Sequence, residues 1–136
     1  MKRLLFLAVV VIGLMSCTAS KKMSKQSLDG TWELEYITGP RIAFEGLYPE
    51  KKPTLVFDFK DQRVHGNSSC NNYNGAFKLK GNKIKFDKVA STMMACPGDG
   101  ESVYYQALDK VTNFDVVDGK LNLIMDDVVM MRFKKK

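Results

Sequence analysis

From Thr31 onward the chain alternates apolar and polar residues with a period of two, the repeat of a strand with one buried and one wet face. Trp32, Leu34 and Tyr36 alternate with Glu33 and Glu35. Leu55, Phe57 and Phe59 alternate with Asp58 and Lys60. Phe77 and Leu79 alternate with Lys78 and Lys80, and Ile84 and Phe86 with Lys83, Lys85 and Asp87. Such a pattern cannot bury its apolar positions as a helix, and it predicts antiparallel sheet. Turn pairs separate the runs. Asn74-Gly75 precedes one strand, Gly81-Asn82 joins two Lys-rich strands, and Asp118-Gly119 joins Phe114–Val117 to Leu121–Met125. A last strand, Val128 to Phe133, follows Asp126-Asp127.

One segment departs from the alternation. Val103, Tyr104, Ala107, Leu108 and Val111 fall at helical spacing, with Asp99 placed to cap the helix and Glu101 in its first turn. The expected fold is mainly β: a small antiparallel curled sheet or partly open barrel of seven or eight strands with one helix over one end. The Met residues (Met93, Met94, Met125, Met130, Met131) read as core filler. The loop from Gly39 to Pro53 carries Ile42, Phe44, Leu47 and Tyr48, which read as an exposed partner-contact surface.

The first residues have a different character. Lys2 and Arg3 precede the unbroken apolar run Leu4 to Ile12. Nine residues are too few to span a bilayer, which needs about 20, and the arrangement fits a secretory signal peptide over residues 1–16. Leu14-Met15-Ser16-Cys17 resembles a bacterial lipobox, implying cleavage before Cys17 and acylation of its thiol. Ordinary cleavage near Ala19 is the alternative. Residues 17–27 then form a lipidated Cys and flexible tether, the domain runs from 28 to 133, and Lys134 to Lys136 form a basic tail. With no Asp after Cys17, the expected location is the outer membrane, facing the periplasm.

The charge follows this division. The chain of 136 residues carries a formal net charge of +6. Between residues 28 and 133, however, 13 Lys and Arg stand against 15 Asp and Glu. The excess lies on the signal segment, the tether and the tail. A nucleic-acid-binding domain is basic on its folded surface, so nucleic acid is not expected as a partner.

Setting Cys17 aside leaves Cys70 and Cys96, an even pair in a chain read as exported, which favours a disulfide. A redox pair is usually held as Cys-x-x-Cys. Two free thiols, or a nucleophilic Cys with His65, are the remaining readings. No phosphate loop, nucleophile elbow or His/Cys metal spacing is present in the sequence, so no catalytic residue, cofactor or metal is expected.

Four segments together resemble the META domain, also called HslJ-like. Leu28-Asp29-Gly30-Thr31-Trp32-Glu33-Leu34 is similar to its opening. Val64-x-Gly66 followed by Cys70-Asn71-x-Tyr73-x-Gly75 is similar to its central motif, and Ser91-Thr92-Met93-Met94-Ala95-Cys96 to its third. Leu121-x-Leu123 and a strand ending at Arg132-Phe133 complete the series. Ser69 stands where the family often has Gly. The resemblance implies a small antiparallel β fold with a helix, of lipocalin-like topology, in envelope lipoproteins linked to heat shock and other stress, with no catalytic set to carry over. It gives structural roles to Gly30, Trp32, Gly66, Asn71, Tyr73, Gly75, Thr92 and Met94, and strengthens the Cys70–Cys96 pairing. The expectation is a non-enzymatic, lipid-anchored monomer that binds an unknown envelope protein. A small-ligand carrier and an inhibitor of hydrolases are the alternatives.

Overall fold

The computed structural model describes residues 25–136. The signal segment, Cys17 and the tether up to residue 24 lie outside the described residues. Eight strands follow one another in order: β1 (Thr31–Ile37), β2 (Thr54–Asp58), β3 (Arg63–Asn67), β4 (Asn72–Lys80), β5 (Lys83–Ser91), β6 (Asn113–Val117), β7 (Lys120–Met125) and β8 (Val128–Lys135). Residues 25–28 form a helical turn. Two further helices are α1 (Phe44–Leu47) and α2 (Gly100–Lys110).

Every strand pairs antiparallel with its neighbours, and β8 returns to β1 through pairs such as Trp32↔Lys135 and Ile37↔Met131. The sheet is thus one curled antiparallel layer, as the alternation predicts, and its strand order closes on itself. Its thin place is between β5 and β6, where the register holds one pair, Lys83↔Asn113. Two backbone bonds support it: Ile84 N–H to the Thr112 carbonyl at 3.0 Å and Phe114 N–H to the Asn82 carbonyl at 2.9 Å. Beyond them β5 keeps its β4 partner but has no strand on the β6 side, and α2 lies there, forming a groove lined by Phe86, Val89, Tyr105 and Leu108.

The inward positions are filled. Trp32, Leu34, Leu55, Phe77, Ile84, Leu121, Leu123, Met131 and Phe133 are buried together, and Tyr104 and Leu108 of α2 join the same core. A carrier would need an enclosed apolar space of some 300 Å³, and these side chains stand where it would be. The Trp32 indole N–H donates to the Leu28 carbonyl at 2.9 Å, so this buried aromatic also ties down the turn at 25–28. Gly30, at φ +102°, makes the bend between them.

Sequential up-and-down order sends alternate connections to opposite rims. The entry rim holds the start of β1, the β2–β3, β4–β5 and β6–β7 turns, and the end of β8. The far rim holds the β1–β2 connection, the β3–β4 loop with Cys70, the segment after β5 with Cys96, and the β7–β8 turn.

Several expectations need correction. Asn74-Gly75 is not a turn before a strand but lies inside β4, at a register shift opposite β5. A Cβ at Gly75 would lie 3.0 Å from a Val89 methyl and 3.1 Å from the Asp87 carbonyl oxygen, so the glycine serves close strand approach. Asp99 makes no side-chain capping bond to α2. Lys134 and Lys135 belong to β8 rather than to a tail, and the Lys136 N–H donates to the Thr31 carbonyl at 2.9 Å. Met130 and Met131 are core, but Met93 and Met94 are 92% and 62% exposed. The expected contact loop is largely inside: Leu47 and Tyr48 are buried and Phe44 is half-buried, leaving Ile42 exposed. Leu47 and Tyr48 fold inward because the Tyr48 ring packs against Gly100, where its hydroxyl donates to the carbonyl at 2.8 Å.

Candidate functional site

The far rim gathers the residues of the second and third motifs. Asn71, 1% exposed, sits just before β4, and its side-chain amide has every bonding group engaged. Its Oδ1 accepts from the Thr92 hydroxyl at 2.9 Å and from the Met94 N–H at 2.8 Å. Its Nδ2 donates to the Met94 carbonyl at 3.1 Å and to Glu101 Oε1 at 2.9 Å. The amide therefore pairs with the Met94 peptide groups much as a neighbouring strand would. Buried polar groups are costly unless satisfied, and no buried side-chain nitrogen or oxygen among the described residues lacks a partner.

Glu101 completes the cluster from the first turn of α2. Its Oε2 accepts from the Asn71 N–H at 2.9 Å and lies 2.5 Å from the Ser68 hydroxyl oxygen, which itself accepts from Tyr105 at 2.9 Å. Burial disfavours the Glu101 charge, but the bonds from Ser68, the Asn71 side chain and the Asn71 backbone outweigh it and hold its pKa below the ordinary 4.5. Sequence reasoning placed Glu101 only as a favourable first-turn acid and missed its role as the link between loop and helix.

Beside this cluster Cys70 and Cys96 form a disulfide, with Cα atoms 6.1 Å apart. Ser69, just before it, adopts φ +86° with its N–H donating to Asn67 Oδ1 at 2.9 Å. The departure from the family's glycine thus falls at a position where a glycine would be unstrained. A cleft of about 430 Å³ opens next to the disulfide, lined by Leu47, Glu50, Cys70, Met94, Cys96 and Glu101 among others.

Tyr73 and Gly66 belong to a second polar knot. The Tyr73 hydroxyl donates to the Thr54 carbonyl at 2.8 Å and lies 2.7 Å from the Tyr104 hydroxyl. Burial pushes the pKa of both phenols up, so both serve as neutral partners. A Cβ at Gly66 would overlap the Thr54 carbonyl oxygen and reach 3.0 Å from the Tyr73 hydroxyl. Gly66 is what lets β2, β3 and Tyr73 meet. His65 is exposed on β3. Among the described residues no group of three His, Cys, Asp or Glu is placed to hold a metal ion, and no helix is long and apolar enough to cross a membrane.

The motifs thus form one clamp: Asn71, Thr92, Met94, Glu101 and the disulfide hold the segment after β5 against the β3–β4 loop and α2. The family model described as META domain matches residues 25–136. No curated protein gives a match. Among solved structures, an NMR structure of a protein from Burkholderia xenovorans is 25% identical, with a TM-score of 0.62, covering 84% of this chain and 87% of its own. A DUF4847 family protein from Bacteroides vulgatus ATCC 8482 is 11% identical, with a TM-score of 0.59, covering 84% of this chain and 97% of its own. The second likeness concerns the fold alone.

Proposed function

The chain belongs to the META domain family, and from that premise we propose that it works as a lipid-anchored envelope protein, a binding or assembly module rather than a catalyst. The observation that carries this reading is how the far-rim clamp uses its polar groups. Asn71 and Glu101 spend their bonding capacity on Thr92, Met94 and Ser68, while the apolar Met93 and Met94 side chains are left outward on a backbone held at both ends. A rigid loop presenting flexible, polarizable side chains is suited to gripping a protein partner at little ordering cost. The lipobox-like stretch at Cys17 supplies the anchor, and multiple acyl chains hold a protein on a membrane where one is marginal.

The test places a photo-activated cross-linking residue at Met93 in the full-length protein in intact cells, with mass spectrometry of the adducts. A discrete protein adduct, lost when Asn71→Ala releases the loop, is the expected result. Adducts that are absent at Met93 but abundant at exposed His65 would reject the far rim as the contact surface. Metabolic labelling with palmitate, compared with Cys17→Ser, tests the anchor.

A second reading has its own observation. Glu45, Glu50 and Asp99 are exposed on the same rim as Arg41, Lys51 and Lys52, and Glu50 and Glu101, with no lysine or arginine, line the cleft beside the disulfide. Such a face complements a basic hydrolase such as a lysozyme. Inhibition of lysozyme by the purified protein, weakened by Glu50→Lys, would support it. Full lysozyme activity at saturating protein would dismiss it.

A further inference from the structure

The β4–β5 hairpin carries an arrangement that the fold does not require. Lys78 faces Lys85 and Lys80 faces Lys83 as direct cross-strand partners, and all four side chains are exposed on the outer face. Like charges placed opposite one another destabilise a ribbon. Among the described residues, the ion pairs within 4 Å are made by Lys120, Lys134 and Lys136, and none by the hairpin lysines. The concentration is local. Residues 77–88 hold five lysines and one aspartate, while the rest of residues 28–133 hold eight basic and fourteen acidic side chains.

The position of the hairpin tells what this charge meets. Its Gly81-Asn82 tip lies on the entry rim, where the chain enters β1 from the tether. Lys134 and Lys135 end β8 beside that entry and Lys136 follows them, with Lys60 and Lys120 on the same rim. Asp29, Asp58, Asp61 and Asp118 are the acids at this rim, and Glu33 and Glu35 of β1 pair with Lys134, Lys136 and Lys120; Asp58 accepts from the Lys60 and Asp61 backbone N–H groups. Glu45, Glu50, Asp99, Asp126 and Asp127 lie on the far rim with Arg41, Lys51 and Lys52, and Asp109 of α2 lines a groove with Lys80, Lys83 and Lys85. The domain is polarised, with its basic end where the chain emerges.

We propose that the β4–β5 hairpin docks on anionic lipid headgroups of the membrane that holds Cys17, standing the domain on its entry rim with the disulfide face turned away. The orientation rests on the anchored reading above; the headgroup binding does not. The lysines of the second pair lie two residues from the tip pair, about 7 Å along the strand, so all four reach headgroups within one Debye length of the surface. Neutralising phosphates also removes the cross-strand repulsion.

The test uses the whole chain as made in cells, reconstituted into vesicles of phosphatidylcholine alone or with phosphatidylglycerol. Acetylation of each lysine is followed by mass spectrometry, and the same spectra report whether Cys17 carries acyl chains. The expected result is that Lys78, Lys80, Lys83 and Lys85 react about fivefold more slowly on the anionic vesicles, with Lys51 and Lys52 unchanged and the protection lost in high salt. A chain with all four changed to Gln should keep its thermal midpoint and move its entry rim off the surface, read as faster acetylation of Lys135. Equal hairpin reactivity on both kinds of vesicle overturns the proposal, whether or not Cys17 is acylated. Protection in a chain with no lipid on Cys17 sustains headgroup docking and rejects the anchor instead.

Discussion

The hydroxyl of Tyr48 donates to the carbonyl of Gly100 at 2.8 Å, joining positions 52 residues apart at the start of α2. Leu47 and Tyr48 are therefore part of the core's lid. A Cβ at Gly100 would lie 2.8 Å from the Tyr48 ring, which shows how closely the two segments meet. Tyr48→Ala should lower unfolding stability by about 3–5 kcal/mol, as for other buried aromatics. Tyr48→Phe should cost about 1 kcal/mol for the lost bond, and Ile42→Ala almost nothing. Urea unfolding of the three variants checks the order.

Glu101 gives the fold a dependence on acid. Its folded-state pKa lies below the ordinary 4.5, so the charged form favours the folded state. Its contribution is complete above about pH 4.5 and is lost as pH falls through the lower folded value. Glu101→Gln should reduce stability near neutrality and flatten the acid side of the stability profile. Asn71→Ala should cost more, about 2–3 kcal/mol, because it leaves Met94 and Glu101 groups without partners. Thermal melts across the acid range for each variant distinguish the two.

Much of the sheet was legible because the alternation at Leu55–Phe59 and Ile84–Phe86 is a local property of strands. Gly81-Asn82 and Asp118-Gly119 were legible for the same reason, since a turn is decided by its own residues. Tyr48 was not: its burial depends on Gly100, a partner no local pattern can name. Gly75 was misread because Asn-Gly marks a turn by default, whereas here the absent Cβ serves Asp87 and Val89 across the ribbon. Asn71 was legible as a motif residue, but its bonds to Thr92, Met94 and Glu101 reach two segments distant in sequence, the stretch after β5 and the first turn of α2. The cysteine pair was visible from counting, and Met93 and Met94 were misassigned because hydrophobicity alone does not say which side of a loop faces out.

Ser69 holds φ +86°, a conformation costing a non-glycine residue about 1–2 kcal/mol. Ser69→Gly should stabilise the folded state by about 0.5–1 kcal/mol, the gain reduced by the greater freedom of glycine in the unfolded chain. A higher denaturation midpoint with an unchanged m-value checks it. A lower midpoint would mean that the Ser69 side chain contributes more than its backbone costs.

The Cys70–Cys96 disulfide constrains 26 residues of sequence separation. In the chain-entropy model its loss should cost about 3.5 kcal/mol. Thiol titration of the purified protein should find no reactive Cys70 or Cys96 until a reductant is added. Reduction should then lower the thermal midpoint and expose the segment 92–99 to protease before the strands. Loss of the strands first would place the weak point elsewhere.

The return of β8 onto β1 bears on when the fold can form at all. Met131 and Phe133 fill the core beside Leu34, and their strand supplies the partners for Trp32 and Ile37. A nascent chain that has not yet released residues 128–135 has an open first strand and an unfinished interior. Contacts this distant in sequence form late and slowly. Closure of the sheet therefore waits for the last strand, and is complete only when the two ends of the domain find each other.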